Sequence, residues 1–123
     1  MIRKENIRLE DLGSMEYQQA WDYQEKLLAD NVAAKKQFAL EIVDNDSELP
    51  LRSPTIHHLL FVEHPPVYTL GKSGKEEHVL IDEKTRIEKG ISFYRTNRGG
   101  DITFHGPGQI VGYPILDLEK FYT

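Results

Sequence analysis

Arg98-Gly99-Gly100-Asp101-Ile102-Thr103-Phe104-His105-Gly106-Pro107-Gly108-Gln109 decides how the chain is read. Four of these twelve residues are glycine, and Arg98 and His105 stand among them. A core strand gains little from residues without side chains, whereas backbone that closely approaches a ligand needs them. Gly99-Gly100 supplies adaptable backbone whose N–H groups can face an oxygen of a carboxylate, phosphate or thioester carbonyl. Arg98 offers a fixed cation, and His105 can donate, accept or transfer a proton. Gly106-Pro107-Gly108 predicts a second tight turn beside His105. The same residues also fit a β-hairpin with a glycine bulge, with Arg98 in a surface pair and His105 bonded to a carbonyl. Physics alone leaves the two readings level.

Outward from this stretch, both flanks read as strands. Ile91 to Arg95 alternates, with Ile91, Phe93 and Arg95 on one side. Gln109 to Leu118 places Val111, Tyr113 and Ile115 at alternate positions, and Pro114 predicts an edge or a bulge. Asp82 is placed to cap a helical turn through Ile87, closed by Gly90. Val79-Leu80-Ile81 reads as a short strand.

Further upstream, Leu59-Leu60-Phe61-Val62 within Ile56–Glu63 reads as a buried strand. His64-Pro65-Pro66 ends it, and Val67-Tyr68-Thr69-Leu70 is a second strand ended by Gly71. Gly71-Lys72-Ser73 imitates the tail of a phosphate-binding loop. The glycine needed five positions earlier is Pro66, so a P-loop is rejected.

Toward the N-terminus, Ile7 and Leu9 suit a first strand with one buried face, and Gly13-Ser14 breaks it. Ser14 is placed to cap a helix from Met15 to about Gln37. Tyr17, Trp21, Gln24, Leu28 and Val32 step by three or four, which lays Tyr17, Trp21 and Leu28 on a core. Asp22, Glu25, Lys26 and Lys36 form the polar face. Phe38 to Thr55 reads as a surface loop, rich in acidic and turn residues. Asp44 and Asp46 imitate the start of a calcium loop, but the required glycine and closing glutamate are missing.

Bulk properties bound the function. The 123 residues fit one small domain. No run of eighteen apolar residues is present, and Met1–Asn6 lacks the apolar core of a secretory signal, so no membrane partner and a cytoplasmic location are expected. The absence of cysteine excludes disulfides, thiolate metal sites and a cysteine nucleophile within these residues. The five histidines, His57, His58, His64, His78 and His105, lack zinc-site spacing, so no metal or cofactor is expected. A net charge of −5 argues against a nucleic-acid partner. Gly71–Arg98 is locally basic, seven cations to five acids, which reads first as a solvated mixed face and second as a docking surface for an acidic carrier protein.

Taken together, the glycine-rich stretch, the block Glu63-His64-Pro65-Pro66-Val67-Tyr68-Thr69-Leu70-Gly71 and the continuation Tyr113-Pro114-Ile115-Leu116-Asp117-Leu118 resemble the lipoyl(octanoyl) transferases of the biotin/lipoyl ligase superfamily. Tyr23-Gln24 agrees with that pattern. The resemblance implies an α/β (α+β) fold, a mixed sheet with packed helices like class II synthetases. Residues 1–123 would then be the N-terminal part of a single catalytic domain.

The implied activity moves octanoyl from acyl carrier protein to a lysine of lipoyl domains, through an acyl-cysteine intermediate. Those lipoyl domains belong to 2-oxoacid dehydrogenases and the glycine cleavage H protein. Arg98, Gly99, Gly100, Asp101, Ile102, Thr103, Phe104 and His105 match the family's substrate-binding stretch. No residue matches the family's catalytic cysteine or lysine, so the isolated chain is expected to be inactive. Two alternatives remain. One is an ATP-dependent lipoate or biotin ligase, against which His105-Gly106-Pro107-Gly108-Gln109 counts. The other is a non-catalytic module that binds an acyl chain or a lipoyl domain. Uncovered apolar surface would also favour self-association.

Overall fold

The computed structural model describes residues 4–44, 54–75 and 81–121. The readings of Asp46 as a calcium ligand and of Val79-Leu80 as a strand lie outside these residues, as does His78. The elements in chain order are β1 (Ile7–Ser14), α1 (Tyr17–Asp44), β2 (His57–Glu63), β3 (Val67–Leu70), α2 (Glu83–Glu88), β4 (Ser92–Arg95), β5 (Ile102–His105) and β6 (Ile110–Ile115), then a 3-10 turn at Leu118–Lys120. Two three-stranded sheets run in the orders β1-β2-β6 and β4-β3-β5. Sheets with packed helices are the mixed α/β architecture expected from the sequence.

The residues divide into two compact units. One comprises Met1–Asp11, Gln18–Phe61 and Gly112–Thr123, and the other Leu12–Tyr17 and Val62–Val111.

Several elements differ from expectation. Helix α1 begins at Tyr17 and continues to Asp44, through residues expected to be loop. Its start leaves Ser14 in β1 and not at a cap. The inward face of β1 is also the other one: Ile7 and Leu9 are exposed, while Glu10 and Leu12 are half-buried. Along α1 the buried residues are Tyr17, Ala20 and Leu27. Leu28 is 51% exposed and Val32 44%, so neither belongs to the core. A one-residue step turns a helix by about 100°, so Leu27 and Leu28 cannot both face inward.

Other readings hold. Strand β3 has the expected bounds, and β6 buries Ile115 with Val111 and Tyr113 half-buried at alternate positions. Pro114 sits on an outer strand of its sheet, where a missing N–H is tolerated. Asp82 caps α2 by accepting the Thr85 N–H at 2.7 Å, and Gly90 has φ +69° just past the helix end.

In the first unit, Ala20, Leu27, Leu60 and Ile115 are buried beside a polar network around Asp117. The Asp117 carboxylate accepts from Thr55 Oγ1 at 2.8 Å and from Lys35 Nζ at 3.1 Å. Its backbone N–H donates to His57 Nδ1 at 3.2 Å. That bond leaves the His57 hydrogen on Nε2, which donates to buried Glu5 at 3.1 Å. Every polar group named has a partner, which a buried network requires.

Burial alone would raise the Asp117 pKa, but hydrogen bonds from Thr55 and Lys35 outweigh it and hold it below the ordinary carboxylate value. A depressed folded-state pKa contributes stability that is present above the unfolded value and lost as pH falls through the folded value. Urea unfolding should therefore show stability declining below about pH 4. The Asp117→Asn variant should be less stable at pH 7 by about 1–3 kcal/mol and show a flatter acid limb. An unchanged acid limb would remove Asp117 from the account.

Candidate substrate-binding site

Strand β3 is the centre of the second unit. It pairs parallel with β4, Val67 opposite Ser92 and Leu70 opposite Arg95. It pairs antiparallel with β5, Val67 opposite His105 and Leu70 opposite Ile102. The strands before and after Gly99-Gly100 are thus separated by β3, so residues 96–101 cross the end of β3 and do not form a hairpin turn.

That crossing segment is bound to the loop after β3. Gly71 N donates to Asp101 O at 2.6 Å, Lys72 N to Arg98 O at 2.9 Å, and Ser73 N to Gly100 O at 3.2 Å. Lys75 N donates to the Asp101 carboxylate at 3.2 Å. The two backbones approach so closely that a Cβ on Gly71 would lie 2.3 Å from Gly100 O. Gly100 itself has φ +94°, a region that side chains disfavour. Gly71-Lys72-Ser73 is therefore a loop whose N–H groups serve the chain's own carbonyls. Among the described residues no helix begins at Ser73, in keeping with the rejected P-loop.

Arg98 fastens the same junction. Its Nη2 donates to Thr69 O at 2.8 Å, Thr69 Oγ1 at 2.9 Å and Asp101 O at 3.2 Å, and its Nη1 donates to Gly99 O at 2.9 Å. The guanidinium thus ties β3 to the turn that leads into β5. A planar cation with several donors suits this task better than an ammonium.

The register assigns side chains to two faces, since neighbours along a strand point oppositely. Thr103 and His105 lie on the face of Val67 and Thr69, while Ile102 and Phe104 lie on the face of Tyr68 and Leu70. The Phe104 and Tyr68 rings pack 5.1 Å apart. On the Thr103 face, buried His64 sits with its ring centre 6.0 Å from His105 and 5.4 Å from Tyr17. Tyr17 packs against Tyr94 at 5.1 Å, and the Tyr94 hydroxyl donates to Glu16. That hydrogen bond, with burial, pushes the Tyr94 pKa up to about 12.

Neither His64 nor Tyr17 is a site residue in the sequence reading, yet His64 is the neighbour of His105 and Tyr17 packs against His64. His64 Nδ1 bonds Met15 O at 2.8 Å, so Nδ1 carries the hydrogen. The adjacent Glu63 accepts the Gly108 N–H at 2.6 Å, which fixes the turn after His105. The signal available was the Glu63-His64-Pro65-Pro66 block itself.

Burial lowers the His105 pKa, as do nearby His64 and Arg98, against a raising hydrogen bond with Gln109. His105 is therefore neutral at pH 7 and can both donate and accept. Among the described residues, no cluster of three or more His, Cys, Asp or Glu could hold a metal ion. No helix among them is long and apolar enough to cross a membrane.

The profile of the lipoyl protein ligase A/B catalytic domain matches residues 16–123. The chain belongs to the lipoyl protein ligase A/B catalytic domain family. As a member of that family it is 57% identical over 117 residues to the octanoyltransferase of Flavobacterium johnsoniae, covering 95% of this chain and 47% of the relative. It is 52% identical to the octanoyltransferase of Flavobacterium psychrophilum over the same shares, and 51% identical to that of Cytophaga hutchinsonii, covering 96% of this chain and 46% of the relative. The chain spans about half the length of these curated relatives. Its fold is similar to that of P. falciparum LipL1 in complex with lipoate, with a TM-score of 0.52 and 15% identity. That match covers 85% of this chain and 29% of the other.

Two outcomes follow from this geometry. Arg98→Lys cannot reach the same set of oxygens, so it should lower stability by about 1–3 kcal/mol. It should also speed amide hydrogen exchange at residues 71–75, read by mass spectrometry. Separately, an NMR titration of the imidazole signals should place the His105 pKa below about 6.5. A value at or above that would contradict the buried pairing with His64.

Proposed function

We propose that these residues form the acyl-substrate wall of an octanoyltransferase, as the N-terminal part of one catalytic domain. The observation that carries this reading is identity above 50% to octanoyltransferases across nearly the whole chain. The reaction moves octanoyl from acyl carrier protein to a lysine amine of a lipoyl domain, such as those of 2-oxoacid dehydrogenases or the glycine cleavage H protein. A cysteine thiolate attacks the thioester carbonyl and releases the carrier thiol. The lysine amine then attacks the acyl-cysteine, forming the amide and returning the thiol. The 123 residues contain no cysteine, so that nucleophile comes from outside them.

Within this reading, Arg98 to His105 position the substrate. Arg98 holds the turn, and β5 offers an outer strand edge to an extended pantetheine arm with its amides. Neutral His105 lies on the same face as Thr103 and can donate a hydrogen bond to the acyl carbonyl or accept one from a thiol.

The test supplies the chain with octanoyl-acyl carrier protein and a lipoyl domain, then follows the lipoyl-domain mass. No transfer is expected, while octanoyl-pantetheine should shift NMR signals of residues 98–105. Turnover by the chain alone, or shifts confined elsewhere, would overturn the proposal. Adenylate formation from ATP and lipoate would favour the ligase reading instead.

A further inference from the structure

Glu63 closes β2 and His64 follows it, both within the second unit. The backbone of a single residue holds the pair. The Met15 N–H donates to Glu63 O at 3.0 Å, and Met15 O accepts from His64 Nδ1 at 2.8 Å. This two-point bracket sets the rotation of the His64 ring as well as its place. Pro65-Pro66 then joins His64 to β3 with φ fixed by two pyrrolidine rings, and Pro66 O accepts the Ser92 N–H at 3.0 Å. His64 therefore stands at a set position ahead of Val67, and Val67 is the residue paired with His105.

From there the dipeptide reaches His105 by two routes. The His64 ring, 1% exposed, lies 6.0 Å centre to centre from the His105 ring and is tilted 59° to it. The Glu63 carboxylate accepts the Gly108 N–H at 2.6 Å. Gly108 has φ +92°, in the turn where Gln109 N donates to Gly106 O at 3.1 Å. The Gln109 side chain is in turn hydrogen-bonded to His105. One contact packs the imidazole, and the other holds the turn that carries its hydrogen-bond partner. An apolar residue in place of His64 could pack the ring but could not supply the donor that Met15 O needs.

We propose that Glu63 and His64 are positioning residues of the site, holding the His105 imidazole in the orientation that meets an acyl carbonyl. The inference rests on the acyl-substrate reading above for its ligand, and on the Met15 bracket for its geometry. Burial disfavours the charged form of His105 most, and the groups that add to this are His64 and Arg98, against the Gln109 hydrogen bond. Glu63 and His64 act through His105 and need not touch substrate themselves.

NMR on the 123-residue chain tests this, with ring nitrogen shifts reading the His105 tautomer and a pH titration its pKa. His64→Asn removes the ring but keeps a donor for Met15 O, since the Asn amide nitrogen takes the place of Nδ1. The His105 pKa should then rise, because burial and the neighbouring imidazole are both reduced. The tautomer ratio should move toward that of a free imidazole. Glu63→Ala should speed Gly108 amide exchange about tenfold. Glu63→Gln still accepts and should bring exchange to within about threefold of the parent. The Glu63 variants alter a solvent-facing contact, so they report even where His64→Asn does not fold.

Octanoyl-pantetheine supplies the ligand arm. It should shift the His105 ring signals of the parent. In His64→Asn that ring response should be lost while residues 98–101 still respond. A His105 tautomer and pKa unchanged in folded His64→Asn overturn the inference, as does Gly108 exchange unchanged in Glu63→Ala. A parent that does not respond to octanoyl-pantetheine overturns the acyl-substrate reading instead, and the tautomer and exchange results still decide whether Glu63 and His64 hold His105.

Discussion

The junction between β3 and the turn into β5 depends on one guanidinium. Arg98 binds the carbonyl and hydroxyl of Thr69 and the carbonyls of Gly99 and Asp101. Without it, backbone oxygens at the end of a central strand would face each other with too few donors. The glycines follow from the same constraint. Gly71 is needed because the opposing carbonyl of Gly100 occupies the space of a side chain, and Gly100 because its backbone turns left-handed. Cation and glycines together make a rigid corner, and β5 leaves that corner carrying Thr103 and His105.

This corner revises how a glycine-rich stretch is understood. From composition alone, adaptable backbone and a cation suggest groups waiting for an anion. In the fold, Arg98 already serves the chain's own oxygens, and Gly99 and Gly100 contribute carbonyls that accept from Arg98 and Ser73. What the second sheet presents is then a strand edge and a face, on which neutral His105 lies beside His64, with Tyr17 packed on the other side of His64. The motif also divides between two faces of the sheet, so adjacent residues in it have different surroundings.

Local signals were legible where one residue type has one physical use. Asp82 and Gly90 marked α2 correctly, and the prolines and Gly71 bounded β3. Alternation identified the inward side of β6. The period in α1 was right, but its phase was not, because Leu27 and Leu28 are chemically equal and only packing distinguishes them. The acidic run after Phe38 was read as loop, yet the helix carries through to Asp44. The neighbours of His105 were not legible for a different reason. His64 lies far from it in sequence, and the pairing of Val67 with His105, not spacing, brings it close, with Tyr17 packed against His64 in turn. The hairpin alternative fails on the same point, since nothing local announces that β3 inserts between β4 and β5.

That insertion has a consequence for synthesis. Val67, Thr69 and Leu70 end up buried at the centre of a sheet, yet both neighbours of β3 are translated later. Closure onto β5 spans nearly forty residues from Val67 to His105, a slow, non-local step. Until Arg95 has left the ribosome a short apolar strand has two unsatisfied edges, and until His105 has left it one remains. Pro65-Pro66 stands immediately before it and Gly71-Lys72 immediately after. Prolines cannot extend a ladder, and a lysine opposes stacking, so these flanks act as gatekeepers for a nascent strand that has no partners yet. The residues that punctuate β3 in the finished fold thus also protect it before the fold exists.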